Sequence, residues 1–244
     1  MKRKRKIFSD SVCFGLLLTL SILLLASLFS QFLTSSTENE SASVSATENK
    51  KPTVILDAGH GGMDSGAVSV YGDEEKNINL AVTKKLGAFL ENAGVRVIYS
   101  RTDDVMLESE NAAGSRKTRD LLARVELARK YPDALFVSIH MNSLPIEKYK
   151  GLQVFYTDRN DANRALAQVM QNTVASSLQP DNKRHASNAE GKIYVLDRID
   201  QPAILIECGF LTNHEEAAIL KNETYQAKLG YILSRPILDF LFDR

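Results

Sequence analysis

Three short aliphatic runs, each followed closely by a histidine or a glutamate, constrain the fold of this chain more than any other feature. The runs and their ionisable residues are 54–56 with His60, 134–139 with His140, and 203–206 with Glu207. Short aliphatic runs bounded by glycine or proline are typical of buried strands. Ionisable side chains rarely adjoin buried strands unless they are paired, bind a metal ion or transfer protons. The three runs therefore predict strands that end at a chemically active edge.

From Thr53 onward, such strands alternate with segments whose apolar residues recur at helical spacing. Further strands are predicted at 95–99, 151–156 and 193–195, and helices at 75–93, 118–130, 160–178, from 214, and at 225–242. Asp73 and Thr118 are the predicted N-caps of the first two helices. This alternation is typical of a single three-layer α/β domain, in which helices flank a largely parallel, roughly six-stranded twisted sheet.

Four ionisable residues are predicted to meet at one edge of this sheet. Ligands bind at the carboxyl ends of the strands in open α/β sheets, and His60, His140 and Glu207 are expected there. Glu75 lies in the first turn of the helix that follows His60. Two imidazoles and a carboxylate with an open fourth position are typical of catalytic zinc sites, and an additional carboxylate can serve as general base.

Each of these residues also has a purely structural explanation when it is taken alone. Glu75 fits the preference of a helix start for a carboxylate. Glu207 could be a solvated carboxylate just past the end of a strand. A single histidine after a strand more often has a structural role than a role as a metal ligand. Asp57 is a candidate acceptor for an imidazole, with turn formation as its alternative. Only convergence at one sheet edge favours a metal site.

The N-terminal region differs from the rest of the chain in composition. Residues 12–33 carry no charge and are long enough to cross a hydrocarbon core of ~30 Å as a transmembrane helix. The basic tail 1–11 predicts a cytoplasmic N-terminus and an extracytoplasmic domain. A cleaved signal peptide, and hence secretion, is the alternative, although no clear cleavage site follows the run. Residues 34–51 are polar and predict a disordered linker before a folded domain at 52–244.

The charge of the chain argues against nucleic-acid binding, and its cysteine content argues against an intramolecular disulfide. The formal net charge is zero, and from residue 34 onward 25 basic and 29 acidic side chains give a net charge of about −4. Such a domain lacks the basic surface of a nucleic-acid-binding protein, so no nucleic-acid partner is expected. Cys13 lies inside the apolar run and Cys208 is the only other cysteine, so we expect no intramolecular disulfide.

Four segments in order, VILDAGHGG, EKNINL, FVSIHMNS and PAILIECGFLTN, resemble the blocks of the zinc-dependent N-acetylmuramoyl-L-alanine amidases, the amidase_3 family of cell-wall hydrolases. The similarity covers about residues 53–242. The resemblance implies that His60, Glu75 and His140 are the Zn²⁺ ligands and that Glu207 is the catalytic carboxylate. It also implies that the substrate is peptidoglycan. Ala58 departs from the proline common in the family, but it lies outside the ligand set.

Within that family, the short chain with an N-terminal hydrophobic segment resembles the CwlD-type sporulation enzymes, as does the segment GSRKTRDL at 114–121. This resemblance implies removal of stem peptides so that muramic-δ-lactam forms in the spore cortex. An activating lipoprotein or a homodimer is compatible with it, and the sequence identifies neither. Arg101 and Arg116 are candidates for contacting wall carboxylates, with ordinary solvation as the alternative.

Two other functions stay open on the sequence. A zinc exopeptidase on a similar scaffold would use like ligands but would cut peptide bonds of the wall stem peptides. A non-catalytic peptidoglycan-binding relative would keep the fold and lose a ligand or the base. Because all four chemical positions are filled, the sequence favours the amidase over the non-catalytic relative.

Overall fold

The computed structural model describes residues 51–109 and 113–242, which form an α/β domain. The strands are β1 (Thr53–Ala58), β2 (Arg96–Tyr99), β3 (Leu135–Asn142), β4 (Gln153–Tyr156), β5 (Ser187–Asn188) and β6 (Ala203–Phe210). The helices are α1 (Glu75–Asn92), α2 (Arg116–Arg129), α3 (Ala162–Ser177), α4 (His214–Leu220) and α5 (Glu223–Phe242), with a 3₁₀ turn at Leu196–Arg198.

The strands form one six-stranded sheet in the order β2-β1-β3-β6-β4-β5. Strands β2, β1, β3 and β6 run parallel to one another, β4 is antiparallel to β6, and β5 is parallel to β4. The prediction of a largely parallel, six-stranded sheet is therefore confirmed. Parallel strands bring their carboxyl ends to the same edge, so this topology decides where the site lies.

Alternate residues of the central strands belong to two separate apolar cores on opposite faces of the sheet. Val137 and Ile139 of β3 face the core that holds α1, α3 and α5, whereas Phe136 faces the core that holds α2. These strands are apolar on both faces because helices cover both, as expected for parallel sheets. The predicted three-layer arrangement is thus confirmed, and the ionisable residues at the strand ends are the exception to an otherwise apolar sheet.

One predicted strand and two predicted caps are wrong. Residues 193–195 form turns that lead into the 3₁₀ segment, and the sixth strand is instead Ser187–Asn188. The 193–195 run is apolar because it packs against the α2 side of the sheet, not because it pairs with a strand. Glu74 rather than Asp73 occupies the N-cap position of α1, although its side chain forms no capping hydrogen bond.

The N-cap of α2 lies three residues before the predicted position. Ser115 caps α2, because its side chain accepts a hydrogen bond from the Thr118 backbone N–H, so Thr118 already lies inside the helix. A Ser at N-cap and a Thr at the third helical position both carry hydroxyls, and local sequence alone does not decide between them.

The predicted tail at 1–11, membrane-spanning segment at 12–33 and nearly all of the linker at 34–51 lie outside the described residues. Within 51–109 and 113–242, none of the helices combines the length and the hydrophobicity needed to span a bilayer.

Candidate active site

Tertiary structure brings together the four ionisable residues at the carboxyl edge of the sheet. His60 follows β1 by two residues, Glu75 is the first residue of α1, and His140 lies near the end of β3. Glu207 on β6 is the direct register partner of His140, so these two side chains project from the same face of the sheet. The predicted convergence of the four residues is therefore observed.

His60, Glu75 and His140 present three donor atoms to one point. Glu75 Oε1 lies 3.2 Å from His60 Nε2 and 3.0 Å from His140 Nδ1, and the three ligand atoms all lie within 4.8 Å of one another. Ligands about 2.0–2.1 Å from a tetrahedral zinc ion are separated by about 3.3 Å. Two of the three separations are close to this value, so the donor atoms can occupy three corners of a coordination tetrahedron and the residues could hold a metal ion.

Asp64 gives independent support for a cation at this point. The His60 Nδ1–H donates to Asp64 Oδ2 at 2.8 Å, which leaves the Nε2 lone pair of a neutral imidazole directed at the Glu75 carboxylate. Two lone pairs facing each other are unfavourable unless a proton or a cation lies between them. Carboxylates that orient metal-bound histidines in this way are common in zinc sites. Sequence analysis missed Asp64, although its four-residue spacing from His60 was visible.

Electrostatics around the ligands favour positive charge. Burial acts to lower the pKa of His60, but the hydrogen bonds and charges of Glu75 and Asp64 raise it above its usual value. Burial acts to raise the pKa of Glu75, but the two imidazoles hold it well below its usual value. The carboxylates that favour a proton on His60 would equally favour a divalent ion bound at the same atoms.

Local backbone geometry fixes the direction of the His60 ring. His60 has a φ of 61°, in the left-handed region that is costly for a residue with a Cβ atom. Among the non-glycine residues of 51–109 and 113–242, only His60 has a positive φ. Gly59 packs against the His140 imidazole so closely that an added Cβ would lie 2.2 Å from the ring. Gly59 allows this close approach, and the two imidazoles lie edge to face with ring centroids 5.0 Å apart.

Two buried arginines hold the main chain before and at His60. Arg101 Nε donates to the Ala58 carbonyl at 2.9 Å and its Nη2 donates to the Gly59 carbonyl at 3.0 Å. Arg124 donates to the Ala58 carbonyl at 3.0 Å and to the His60 carbonyl at 2.8 Å. Three consecutive carbonyls are thus satisfied by two guanidinium groups, which supports the strained conformation of a candidate ligand.

This arrangement corrects the expectation for Arg101. Its side chain is 3% exposed and donates to main-chain carbonyls, so it does not reach into solvent or contact the wall. Arg116 is exposed at the start of α2, and its contact with the wall stays a prediction.

Asp57 belongs to a buried ion-pair network rather than to an imidazole. Its carboxylate accepts hydrogen bonds from Arg124 and, at 2.7 Å, from the Ser138 hydroxyl, and Arg124 also pairs with Asp120. Burial opposes ionisation of Asp57, but Arg124 and Ser138 hold its pKa below the usual value. No direct hydrogen bond joins Asp57 to either candidate ligand histidine within 51–109 and 113–242. The sequence did not single out Arg124 or Asp120.

Asn79 is a further residue that sequence analysis missed. It lies one turn after Glu75 on α1, is fully buried, and donates to Glu75 Oε1 and to the Gly59 carbonyl, both at 3.2 Å. The Met141 backbone N–H also donates to Glu75 Oε1, at 3.1 Å. The Glu75 carboxylate is therefore oriented by its own helix and by β3 before any metal ion binds.

Glu207 differs from the other carboxylates of the site because it lacks compensating hydrogen bonds. Its Oε2 atom is shielded from solvent and has no hydrogen-bond partner among the described residues. Burial raises the pKa of Glu207 to about 7, and the charge of His140 acts in the opposite direction. A carboxylate with a pKa near neutrality and a free oxygen is suited to accept and return a proton.

A cavity of about 250 Å³ opens beside the candidate ligands, on the α2 side of the sheet. His60 and His140 lie in its wall, and its apolar lining includes Leu121, Phe136 and Leu205. The site therefore combines a candidate metal-binding corner (His60, Glu75 and His140), a carboxylate suited to acid–base chemistry (Glu207) and an adjoining space for part of a substrate.

Comparison with known proteins identifies the family. The family model for N-acetylmuramoyl-L-alanine amidases, Amidase_3, matches residues 54–238. The chain belongs to this family. It is accordingly an N-acetylmuramoyl-L-alanine amidase, an enzyme that acts on peptidoglycan.

Individual relatives resemble the amidase over most of its length. The germination-specific N-acetylmuramoyl-L-alanine amidase of Bacillus subtilis is 34% identical over 195 residues, which cover 78% of this chain and 80% of the relative. The CwlD amidase of Clostridioides difficile, solved in complex with the GerS lipoprotein, is 35% identical with a TM-score of 0.74, covering 80% of this chain and 100% of that one. A second amidase structure, from Clostridium difficile 630, is 33% identical with a TM-score of 0.68, covering 78% of this chain and 97% of that one. These relatives are consistent with a CwlD-type amidase.

Proposed function

We propose that this amidase is zinc-dependent, with His60, Glu75 and His140 as the metal ligands and Glu207 as the general base and acid. The observation that carries the proposal is the convergence of three donor atoms on one point beside a buried carboxylate with an unpaired oxygen. The scissile bond is the amide between the lactyl group of N-acetylmuramic acid and L-alanine.

The chemistry divides between the metal ion and the protein. A zinc ion held by His60, Glu75 and His140 would supply Lewis acidity for the amide carbonyl and for the attacking water. Glu207 accepts the proton of the attacking water and returns it to the L-alanine nitrogen as the C–N bond breaks. The amine is a poor leaving group unless it is protonated, so the reaction needs a group that can hold a proton near neutral pH. The raised pKa of Glu207 meets this requirement.

The biological setting follows from the relatives and remains part of the proposal. Because the Bacillus subtilis relative is named as germination-specific, we infer that the spore cortex is the target and that removal of stem peptides allows muramic-δ-lactam to form. The Clostridioides difficile relative was solved with a lipoprotein, which supports a lipoprotein partner here, with a homodimer as the alternative. Action on the wall implies an extracytoplasmic domain, either anchored through residues 12–33 or secreted after cleavage.

The reaction is tested on purified peptidoglycan with the zinc-loaded full chain. An amidase releases peptides whose new amino terminus is L-alanine, and the glycan keeps an intact lactyl group. A zinc exopeptidase would instead expose an internal or terminal residue of the stem peptide, and that result would overturn the proposal. Binding of peptidoglycan without new termini would identify a non-catalytic relative.

Zinc content is measured on the same preparation, with two matched variants. Glu207→Gln should keep zinc and lose most of the hydrolysis. Glu215→Gln makes the same change at an exposed position of α4 and serves as the control. One zinc ion per chain together with new L-alanine termini supports the proposed function, and hydrolysis by a preparation stripped of metal contradicts it.

A further inference from the structure

The charged groups that line the cavity beside the candidate ligands fall into two sets. The acidic residues already have partners: Asp57 and Asp120 pair with Arg124, and Asp64 accepts hydrogen bonds from His60 and from the Gly66 N–H. Lys117 and Lys192 line the same cavity, and neither forms an ion pair or a side-chain hydrogen bond with residues 51–109 or 113–242. Within those residues, the cavity therefore contains two ammonium groups that lack a direct ion-pair partner.

These two lysines come from different parts of the fold. Lys117 lies in the first turn of α2, and its charge helps to lower the pKa of Asp64, the residue that orients His60. Lys192 follows Gly191 in the turns that precede the 3₁₀ segment. Both side chains belong to exposed residues, so they can reach a ligand without a large desolvation cost.

The size of the cavity indicates which part of peptidoglycan enters it. At about 250 Å³ it is smaller than the ~300–1,000 Å³ of typical small-molecule pockets. A glycan strand continues in both directions from the cleaved sugar and requires an open groove. The stem peptide is a branch with a single attachment point, and its first two residues can enter a short cavity while the amide stays at the metal-binding corner.

The lining matches the chemistry of those two residues. Leu121 and Leu205 provide apolar surface for the alanine methyl group. Where the second residue of the stem is joined through its side-chain carboxyl group, its α-carboxyl group is left as a free anion or is converted to an amide. Two ammonium groups that lack a direct ion-pair partner among the described residues favour the anion over the neutral amide.

We propose that Lys117 and Lys192 bind the free α-carboxylate of the second stem-peptide residue, and that they make this amidase selective for non-amidated peptidoglycan. The proposal rests on the proposed function, because it takes the lactyl–alanine amide to lie at the metal-binding corner. It adds a substrate class: N-acetylmuramoyl-L-alanyl peptides whose next residue carries a free carboxylate. Lys117 and Lys192 act on binding and specificity and take no part in proton transfer.

The test compares two synthetic substrates with the zinc-loaded full chain. Both are N-acetylmuramoyl-L-alanyl-γ-D-glutamyl compounds, and they differ only in whether the α-carboxyl group is free or amidated. We expect kcat/KM to be about tenfold higher for the free carboxylate, because two partly screened ion pairs each contribute up to roughly fivefold. The preference should decrease as salt is added, since both lysines are exposed.

Variants assign the preference to the two residues. Lys117→Met and Lys192→Met should each reduce the ratio of the two kcat/KM values, and the double variant should bring the ratio close to one. Lys84→Met, at an exposed position of α1, is the control and should keep the wild-type ratio. Both substrates are measured on the same preparation, so a partial loss of active protein cancels in the ratio.

Each remaining outcome contradicts a different statement. Equal kcat/KM values for the two substrates in the wild-type enzyme would overturn the selectivity while leaving the amidase reaction intact. A preference that persists in the double variant would overturn the assignment to these lysines. Failure to cleave either substrate at the lactyl–alanine amide would overturn the proposed function, and the proposed selectivity with it.

Discussion

At the residue scale, the chemistry depends on which carboxylates have partners. The Glu75 carboxylate is held by two imidazoles, the Asn79 amide and a backbone N–H, and its pKa is low. Glu207 is nearby, with an unpaired buried oxygen and a raised pKa. Two carboxylates whose pKa values are pushed apart can divide the roles of ligand and base between them.

Replacing Glu207 with Gln separates proton transfer from metal binding. Gln keeps the size of Glu but cannot accept a proton at neutral pH. We expect Glu207→Gln to fold, to retain zinc and to hydrolyse peptidoglycan roughly 10²–10⁴-fold more slowly, as for other general bases. Rate and zinc content are measured together. A parallel loss of zinc would make Glu207 a fourth ligand, and near-normal turnover would exclude it as the base.

The pH dependence of kcat/KM should report the same group. Glu207 must be deprotonated to act as a base, and burial raises its pKa to about 7, so activity should rise with increasing pH up to that region. The positive charge of a bound zinc ion would move this limb to lower pH. A pH–rate profile of the zinc-loaded enzyme tests the expectation. If the acid limb persists unchanged in the residual activity of Glu207→Gln, it belongs to another group.

Asp64 should contribute to zinc affinity without contacting the metal. Asp64→Asn removes the charge that orients and polarises His60, and we expect zinc affinity to fall by about 10–100-fold. Competition with a chelator measures this affinity. His140→Ala, which removes a proposed ligand, should lose zinc more completely, whereas Asp239→Asn on α5 should bind as the wild type does. An unchanged affinity in Asp64→Asn would show that His60 needs no such partner.

At the scale of elements, the loop that follows β1 and carries the candidate ligand His60 (the ligand loop) depends on segments that are distant in sequence. Arg101 follows β2 and Arg124 lies on α2, yet both donate to the carbonyls of residues 58–60. The short strands β1 and β3 place the loop beside His140, and the arginines hold it there. This arrangement would prepare the site for a metal ion, because the strained conformation of His60 is fixed by groups outside the candidate ligand set.

Arg101→Lys tests this support directly. Lys keeps the positive charge but cannot reproduce the planar set of donors that satisfies several carbonyls at once. We expect a lower melting temperature without metal and weaker zinc binding, measured by thermal unfolding with and without zinc. Arg235→Lys, on the exposed face of α5, should change neither quantity. If zinc affinity stays at the wild-type value while stability falls, Arg101 supports the fold but not the ligand loop.

At the scale of the whole molecule, the folded domain has its own core on both faces of the sheet. We expect residues 51–244 to be soluble and to fold without the first 50 residues, because the described residues contain complete cores. The fragment should unfold cooperatively at a temperature close to that of the full chain in detergent. Recovery of the fragment only as aggregate, while the full chain stays in solution in detergent, would show that the domain boundary at about residue 51 is wrong.

The sequence by itself determined the features that repeat locally or form motifs. Alternating apolar runs predicted the three-layer domain, and the segments around His60, Glu75, His140 and Glu207 indicated the family and the four candidate site residues. These signals are local because strand and helix periodicity arise from neighbouring residues. Only the tertiary structure decided that the apolar run at 193–195 packs against the sheet without pairing, since periodicity does not distinguish the two.

The partners of the site residues were likewise decided by tertiary structure. Arg101 and Arg124 bind main-chain carbonyls, and every residue has a carbonyl, so no side-chain pattern in the sequence indicates those contacts. The raised pKa of Glu207 depends on how completely the neighbouring strands and loops shield its oxygen. Residue types therefore determined which chemistry this chain can perform, whereas long-range packing determined the orientation and protonation of the groups that perform it.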